Sequence, residues 1–329
     1  MKPKEQWRQF YQHKYTSGKT FPSLNGLYMV SSDACGINEK PPTTKDGGID
    51  WFGCVWAKDT SIKVNIPDPR VEFLLKDVAD WREVVQWPDL EKYDFETAVK
   101  NSGIEDVDRD EKFIYYTMVM GPFERLHALM GFEEALMALL TDPEECSAFF
   151  TAFMDWRCNL IEKIKQYFNP DVIMYHDDIG TQKDMFFKPE LWRELMKPHL
   201  KRATDKLHEL GIFMEYHSCG KLGQVFPDLV EIGVDAWQGQ EITDIPALKE
   251  RTKGKLEYHT LLDYQKMNAA YYAGTVTLDD VRAFTRESIE KNRIGGHYAP
   301  LMQPFGDVVS KTMTEEFASY YTKFAGDPD

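Results

Sequence analysis

The sequence predicts an α/β protein, a (β/α)8 TIM barrel with an elaborated N-terminal segment, and three observations carry that prediction. From residue 111 onward, short β-rich runs alternate with helical periodicity, the order of a parallel sheet covered by helices. The runs hold few alternating polar positions, as strands buried on both faces do. No Gly-rich fingerprint follows an early strand, so the signal of a dinucleotide-binding open sheet is absent. The 329 residues are read as one barrel unit: residues 1–110 give a strand, hairpin and helical elaboration, and 111–329 give the main βα repeats.

The elements follow in order. "LNGLYMVSS" (24–32) is the candidate first strand, and "GIDWFGCVWAKD" with "VADWREVVQWPDLEKYDFE" forms a hairpin and a short helix before residue 111. "KFIYYTMVMG" (112–121) reads as a strand and residues 123–140 as a helix. The helix over 142–168 opens with Asp142 as N-cap and Pro143 at its first position. A strand over 171–180 precedes a helix from Pro189, whose apolar residues keep three-four spacing from Trp192 to Leu210. Strands at 211–220, 234–240, 255–263 and 294–300 alternate with helical stretches, including a capped helix over 277–293, and a last helix lies near 313–325.

Composition excludes several functions. Net charge is −15 and no Lys/Arg cluster longer than a pair stands out, which argues against nucleic acid and anionic membrane as partners. No apolar run approaches the ~20 residues of a membrane span. The N-terminus "MKPKEQWRQFYQHK" is charged and amphipathic, with no apolar core or cleavage site, so a cytoplasmic protein is expected. The five cysteines are odd in number and irregularly spaced, and with no export signal this argues against a disulfide framework; Cys35, Cys54, Cys146 and Cys158 read as small buried hydrophobes.

In such barrels the working residues sit at the C-terminal strand ends. There the sequence places His176, Asp177 and Asp178; then His217 and Cys219; then Gln240 and Glu241; then His259; and finally His297 and Tyr298. His217 and Cys219, two apart on an extended chain, face the same side, so imidazole and thiolate can converge. Zn²⁺ accepts that mixture. Glu241 ends the next strand, and adjacent strands lie about 4.8 Å apart, so it is the expected third ligand. The plainer alternative is a strand that merely ends in a histidine and a thiol. Of the adjacent Asp177 and Asp178 at most one faces the centre; Asp178 with His176 is expected to touch substrate. His259 is either a substrate group or a core histidine. His127, His199 and His208 lie within helices and read as structural, and the aromatics of residues 50–56 and 84–90 as packing.

The motif H-D-D-x-G-x-Q at 176–182 with H-S-C-G at 217–220, supported by "ERLHALMGFEEALMALLTDPE" and "DPRVEFLLKDVADWREV", resembles the uroporphyrinogen decarboxylase superfamily, and most closely its corrinoid-dependent methyltransferase branch. The resemblance runs over nearly the whole chain. It implies a barrel with its site at the strand C-termini and His217, Cys219 and Glu241 as zinc ligands, a set similar to that of zinc-dependent methionine synthases. It further implies a small methylated substrate, such as a methoxylated aromatic in an O-demethylation, and cobalamin carried by a partner corrinoid protein. Zinc would act as Lewis acid, or His176, Asp178 or Tyr298 would protonate the leaving atom. Asp177, Gln240, His259 and His297 are expected to bind substrate.

Two departures bear on this reading. The decarboxylases bind a polycarboxylate through arginines at the first strand, and "YMVSSDACGINEK" has none, so a metal-independent decarboxylase is the alternative. Coenzyme M-type methyltransferases carry a further cysteine after a Gly-Gly pair, where this chain has Leu301 and Met302. His297 or water would then fill the fourth position. A small-ligand-binding barrel without catalysis is the remaining alternative.

Overall fold

The computed structural model describes residues 1–31, 39–41, 45–59, 64–302 and 305–328. Its strands are β1 (Leu27–Ser31), β2 (Gly48–Ile49), β3 (Val55–Asp59), β4 (Val64–Pro67), β5 (Phe113–Met118), β6 (Val172–His176), β7 (Phe213–His217), β8 (Ala236–Gln240), β9 (Glu257–Leu261) and β10 (Tyr298–Leu301). Seven of them form one parallel sheet in the order β1-β5-β6-β7-β8-β9-β10, and helices cover its outer face. The curled sheet is that of a TIM barrel. Among the described residues it has seven strands rather than eight, and β1 is not paired with β10. The small antiparallel sheet β2-β3-β4 belongs to the N-terminal elaboration, where the sequence indicates a hairpin.

Side chains alternate strictly along the barrel strands, and this alternation decides what each site residue can reach. Ile114, Tyr116, Ile173, Tyr175, Met214, Tyr216, Trp237, Tyr258 and Tyr298 point outward into the core under the helices. Phe113, Tyr115, Val172, Met174, Ala236 and Ala299 point inward with Trp7, Phe10 and Tyr11. Those last three sit on the helix Pro3–Tyr11, which plugs the floor of the barrel: Tyr11 stacks on Phe113 and Phe213 with centroids 5.5 and 5.3 Å apart. The charged amphipathic N-terminus is thus a floor helix. Above it, the buried carboxylate of Glu215 accepts hydrogen bonds from the hydroxyls of Tyr11 and Tyr115, with His259 Nδ1 at 3.1 Å.

Several elements differ from expectation. The helix expected over 123–140 is two, Pro122–Met130 and Phe132–Thr141, because Gly131 adopts φ +94 between them. The one from Pro189 breaks at Met196, since Pro198 opens a second helix, Lys197–Glu209. The last helix begins at Val308, where Asp307 accepts from the Ser310 amide, rather than near 313. Helix Tyr264–Tyr272 was not indicated. The capping box predicted for Leu278–Arg293 is present at Thr277 and Asp280. Two buried ion pairs tie the elaboration to the barrel: Arg125 with Asp50 at 2.6 Å and Arg157 with Glu39 at 2.5 Å. Cys54 and Cys146 are buried and Cys158 is half-buried; Cys35 lies outside the described residues. Among the described residues no helix is long and apolar enough to cross a membrane.

Candidate functional site

The centre of the site is built by the ends of β6 and β7 and the loops that leave them. His176 and His217 are paired in register and both face the lumen, so their rings stack with centroids 4.3 Å apart. Two residues beyond His217, Cys219 returns to the same side and its Sγ lies 3.4 Å from His217 Nε2. Asp178 completes the group: its Oδ1 is 3.5 Å from His217 Nε2 and 3.8 Å from His176 Nε2, and it accepts a 2.6 Å hydrogen bond from the Cys219 amide. His176, Asp178 and His217 each present one ligand atom within 4.8 Å of the others.

Local sequence fixes this geometry. Ser218 is buried; its hydroxyl accepts from the Ile179 amide and so joins the two loops. Gly220 has φ +88, and a Cβ there would clash with the backbone of Gly180, so only glycine lets the loops meet. Each position of H-S-C-G therefore has a physical task.

Outer partners aim the rings. His217 Nδ1 is bonded to the Gln238 side-chain oxygen, an acceptor, which leaves Nε2 toward Asp178 and Cys219. His176 Nδ1 is 2.7 Å from Glu124 Oε2, which likewise leaves Nε2 toward the centre. Burial alone would lower both imidazole pKa values. Glu124 and Asp178 outweigh it at His176, raising it to about 9, and Cys219 with Asp178 raises His217 to about 9 against burial and the neighbouring His176. Asp178, despite burial, is held well below the usual carboxylate range by the two histidines. The pocket thus favours positive charge at its centre.

The remaining predicted residues divide by strand alternation. Gln240 faces the mouth, where it lines a hollow with Leu261, Leu262, Asp263, Tyr264 and Phe305; Tyr264 and Phe305 stack at 4.3 Å. Asp177 points outward instead and accepts from the Phe123 and Glu124 amides at 3.4 and 3.0 Å, capping helix Pro122–Met130. Glu241 also turns outward, since 238 and 240 face in. Its Oε1 accepts from Thr260 at 2.7 Å and Tyr298 at 2.6 Å, and it does not join His217 and Cys219. Tyr298 is buried on the outer face of β10 and serves Glu241 rather than the mouth. His259 faces inward but is fully buried on Glu215, with its ring 5.1 Å from Trp7. His297 precedes β10 after Gly295 and Gly296, both with positive φ, and so lies at the floor. Sequence reasoning missed Glu124 and the orienting role of Gln238. Glu124 occupies the first turn of the helix that follows β5, a position that opens onto a barrel mouth and could have signalled it.

Comparison with known proteins agrees with the architecture. The family Uroporphyrinogen decarboxylase (URO-D) matches residues 55–263, more than half of the chain. No curated protein matches significantly. Among solved structures, a methyltransferase from Methanosarcina mazei superposes with a TM-score of 0.64 over 98% of this chain and 99% of that chain, at 14% sequence identity, a likeness of fold. The chain belongs to the uroporphyrinogen decarboxylase family.

Proposed function

We propose that this chain is a methyltransferase that moves a methyl group from a small methylated compound to cobalamin carried by a partner corrinoid protein, in a cytoplasmic setting. The observation that carries the reading is that Cys219 Sγ and Asp178 Oδ1 both approach His217 Nε2, at 3.4 and 3.5 Å, where the strands open. Donor atoms around a tetrahedral zinc lie about 3.3–3.7 Å apart, from bond lengths of about 2.0–2.3 Å, and the two distances from His217 Nε2 suit a shared Zn²⁺. Asp178 takes the place expected of Glu241. When bound, zinc would supply Lewis acidity to the heteroatom bearing the methyl group.

The chain's own groups do the rest. Gln238 fixes the His217 tautomer. Glu124 accepts from His176 Nδ1–H and, with Asp178, keeps the ring protonated on both nitrogens, so an Nε2–H faces the centre, the correct place to protonate a leaving oxygen or nitrogen. Tyr264 and Phe305 offer an apolar wall and Gln240 a polar contact, which suits a methoxylated aromatic. The decarboxylase alternative needs cations for its substrate's carboxylates. The buried Arg125 and Arg157 are instead bound to Asp50 and Glu39.

The test is turnover. Reduced corrinoid protein and a panel of methyl ethers, amines and thiols are mixed with the chain and the cobalt absorbance is followed. A donor-dependent change that disappears in Cys219→Ala is expected; no change with any donor refutes the reading.

A further inference from the structure

At the opposite end of the barrel the chain assembles a second group of ligands. His13 follows the floor helix, Glu257 is the first residue of β9, and His297 immediately precedes β10. His13 Nδ1 lies 3.0 Å and His297 Nδ1 2.7 Å from the same Glu257 Oε1, and the three ligand atoms fall within 4.8 Å of one another. The residues come from distant parts of the chain, 244 positions apart for His13 and Glu257.

Three features distinguish this group from a chance salt bridge. Glu257 is fully buried and its second oxygen, Oε2, has no hydrogen-bond partner. A buried carboxylate oxygen without a partner is expensive to keep, at about 1–3 kcal/mol or more for a charged group. Both histidines adopt left-handed backbone, φ +59 and +54, which is uncommon outside glycine, and both rings face the one carboxylate. Space is also shaped for the ring: a Cβ at residue 254 would sit 2.6 Å from His297 Nε2, so Gly254 leaves room for it. The histidine side chains are 32% and 12% exposed, so an ion can reach them from solvent.

We propose that His13, Glu257 and His297 form a structural site for a divalent transition ion of the zinc type, which clips the N-terminal segment to the floor of the barrel. Two imidazoles and one carboxylate are a donor set zinc accepts; the ion would replace the two N–H···O contacts, the donors moving apart to the roughly 3.3–3.7 Å of tetrahedral zinc, with the remaining position left to Glu257 Oε2 or water. The set contains no thiol, and it lies beside the starts of β9 and β10, the face of a barrel given to stability rather than chemistry. The proposal does not depend on the function proposed for the mouth.

The test uses the full chain with the mouth emptied by His217→Ala/Cys219→Ala. Zn²⁺ titration is expected to show one remaining equivalent, and saturating Zn²⁺ to raise Tm by roughly 3–6 °C over the chelated protein. Adding His297→Ala removes both effects. His13→Asn serves as the second variant, because Asn tolerates the left-handed backbone and keeps a polar group beside Glu257. It is expected to fold and to lose at least about tenfold in Zn²⁺ affinity, in line with losing a ligand. The proposal is overturned if the emptied chain binds no Zn²⁺, if His13→Asn binds it unchanged, or if Zn²⁺ binds without moving Tm.

Discussion

The two ends of this barrel carry similar side chains and put them to different uses. At the mouth, His176, Asp178, His217 and Cys219 sit at or just beyond strand ends, on loops that touch backbone to backbone at Gly180 and Gly220. At the floor, Glu257 and His297 sit at the starts of β9 and β10 and meet His13 from beyond the floor helix, joining segments remote in sequence. Strand ends leave side chains facing an opening, whereas strand starts here are closed by the aromatic plug of Trp7, Phe10 and Tyr11. Among the described residues, the mouth group includes a thiol and the floor group does not, and the mouth rings are aimed inward by outer partners, Glu124 and Gln238. The lesson is that residue type alone does not mark the working end; direction along the strand does.

The comparison breaks most severely if the partition between the ends fails. Glu215 occupies the lumen between them and satisfies Tyr11, Tyr115 and His259. Glu215→Ala would leave those groups buried and unpaired, and it is expected to lower unfolding free energy by about 3–5 kcal/mol in a urea titration. A loss under 1 kcal/mol would mean the plug holds without it.

A histidine from neither end sharpens the contrast. His199 is buried against Phe150, its Nδ1 lacks a partner, and burial, then Arg202, lowers its pKa to about 4. Its folded pKa lies below the unfolded value near 6.5, so the unfolded chain binds the extra proton. Its contribution is complete above pH 6.5 and is lost as pH falls toward 4, by roughly 3 kcal/mol. His199→Phe should flatten the stability curve over that window and leave mouth metal content unchanged. An unaltered slope would place the acid sensitivity elsewhere, first at His127, whose pKa burial also lowers to about 4.

The smallest expected effect is at Gln238. Gln238→Leu removes the group that orients His217 without touching the donors, and should weaken metal binding at the mouth about 10–100-fold by competition against a chelator. Unchanged affinity would mean the loops alone orient the ring.

Much of the barrel was legible in the sequence. Strand–helix alternation after residue 111 and the capping pattern at Thr277 mark elements that the structure contains. So does the pairing of His217 with Cys219, because i and i+2 share a face whatever the strand's exact limits. What was lost depended on limits. Glu241 and Tyr298 follow or begin a strand, and one residue of shift in a period of two exchanges lumen for outer core. The same shift separates Asp177, which caps a helix, from Asp178, which faces the centre. His297 was misplaced end for end because the Gly295–Gly296 turn, not the strand, precedes it. The N-terminal helix was read for its charges, and its buried Trp7, Phe10 and Tyr11 only acquire meaning once the barrel floor exists.

The central claim is that imidazole, thiol and the Asp178 carboxylate share one metal while Glu241 does not. Replacing zinc with Co²⁺ and recording the thiolate-to-cobalt charge-transfer absorption tests it most directly. The band should be present in the parent chain, vanish in Cys219→Ser, shift or weaken in Asp178→Asn, and persist in Glu241→Gln. A band that survives Cys219→Ser, or that is lost in Glu241→Gln while Asp178→Asn leaves it intact, would contradict the account.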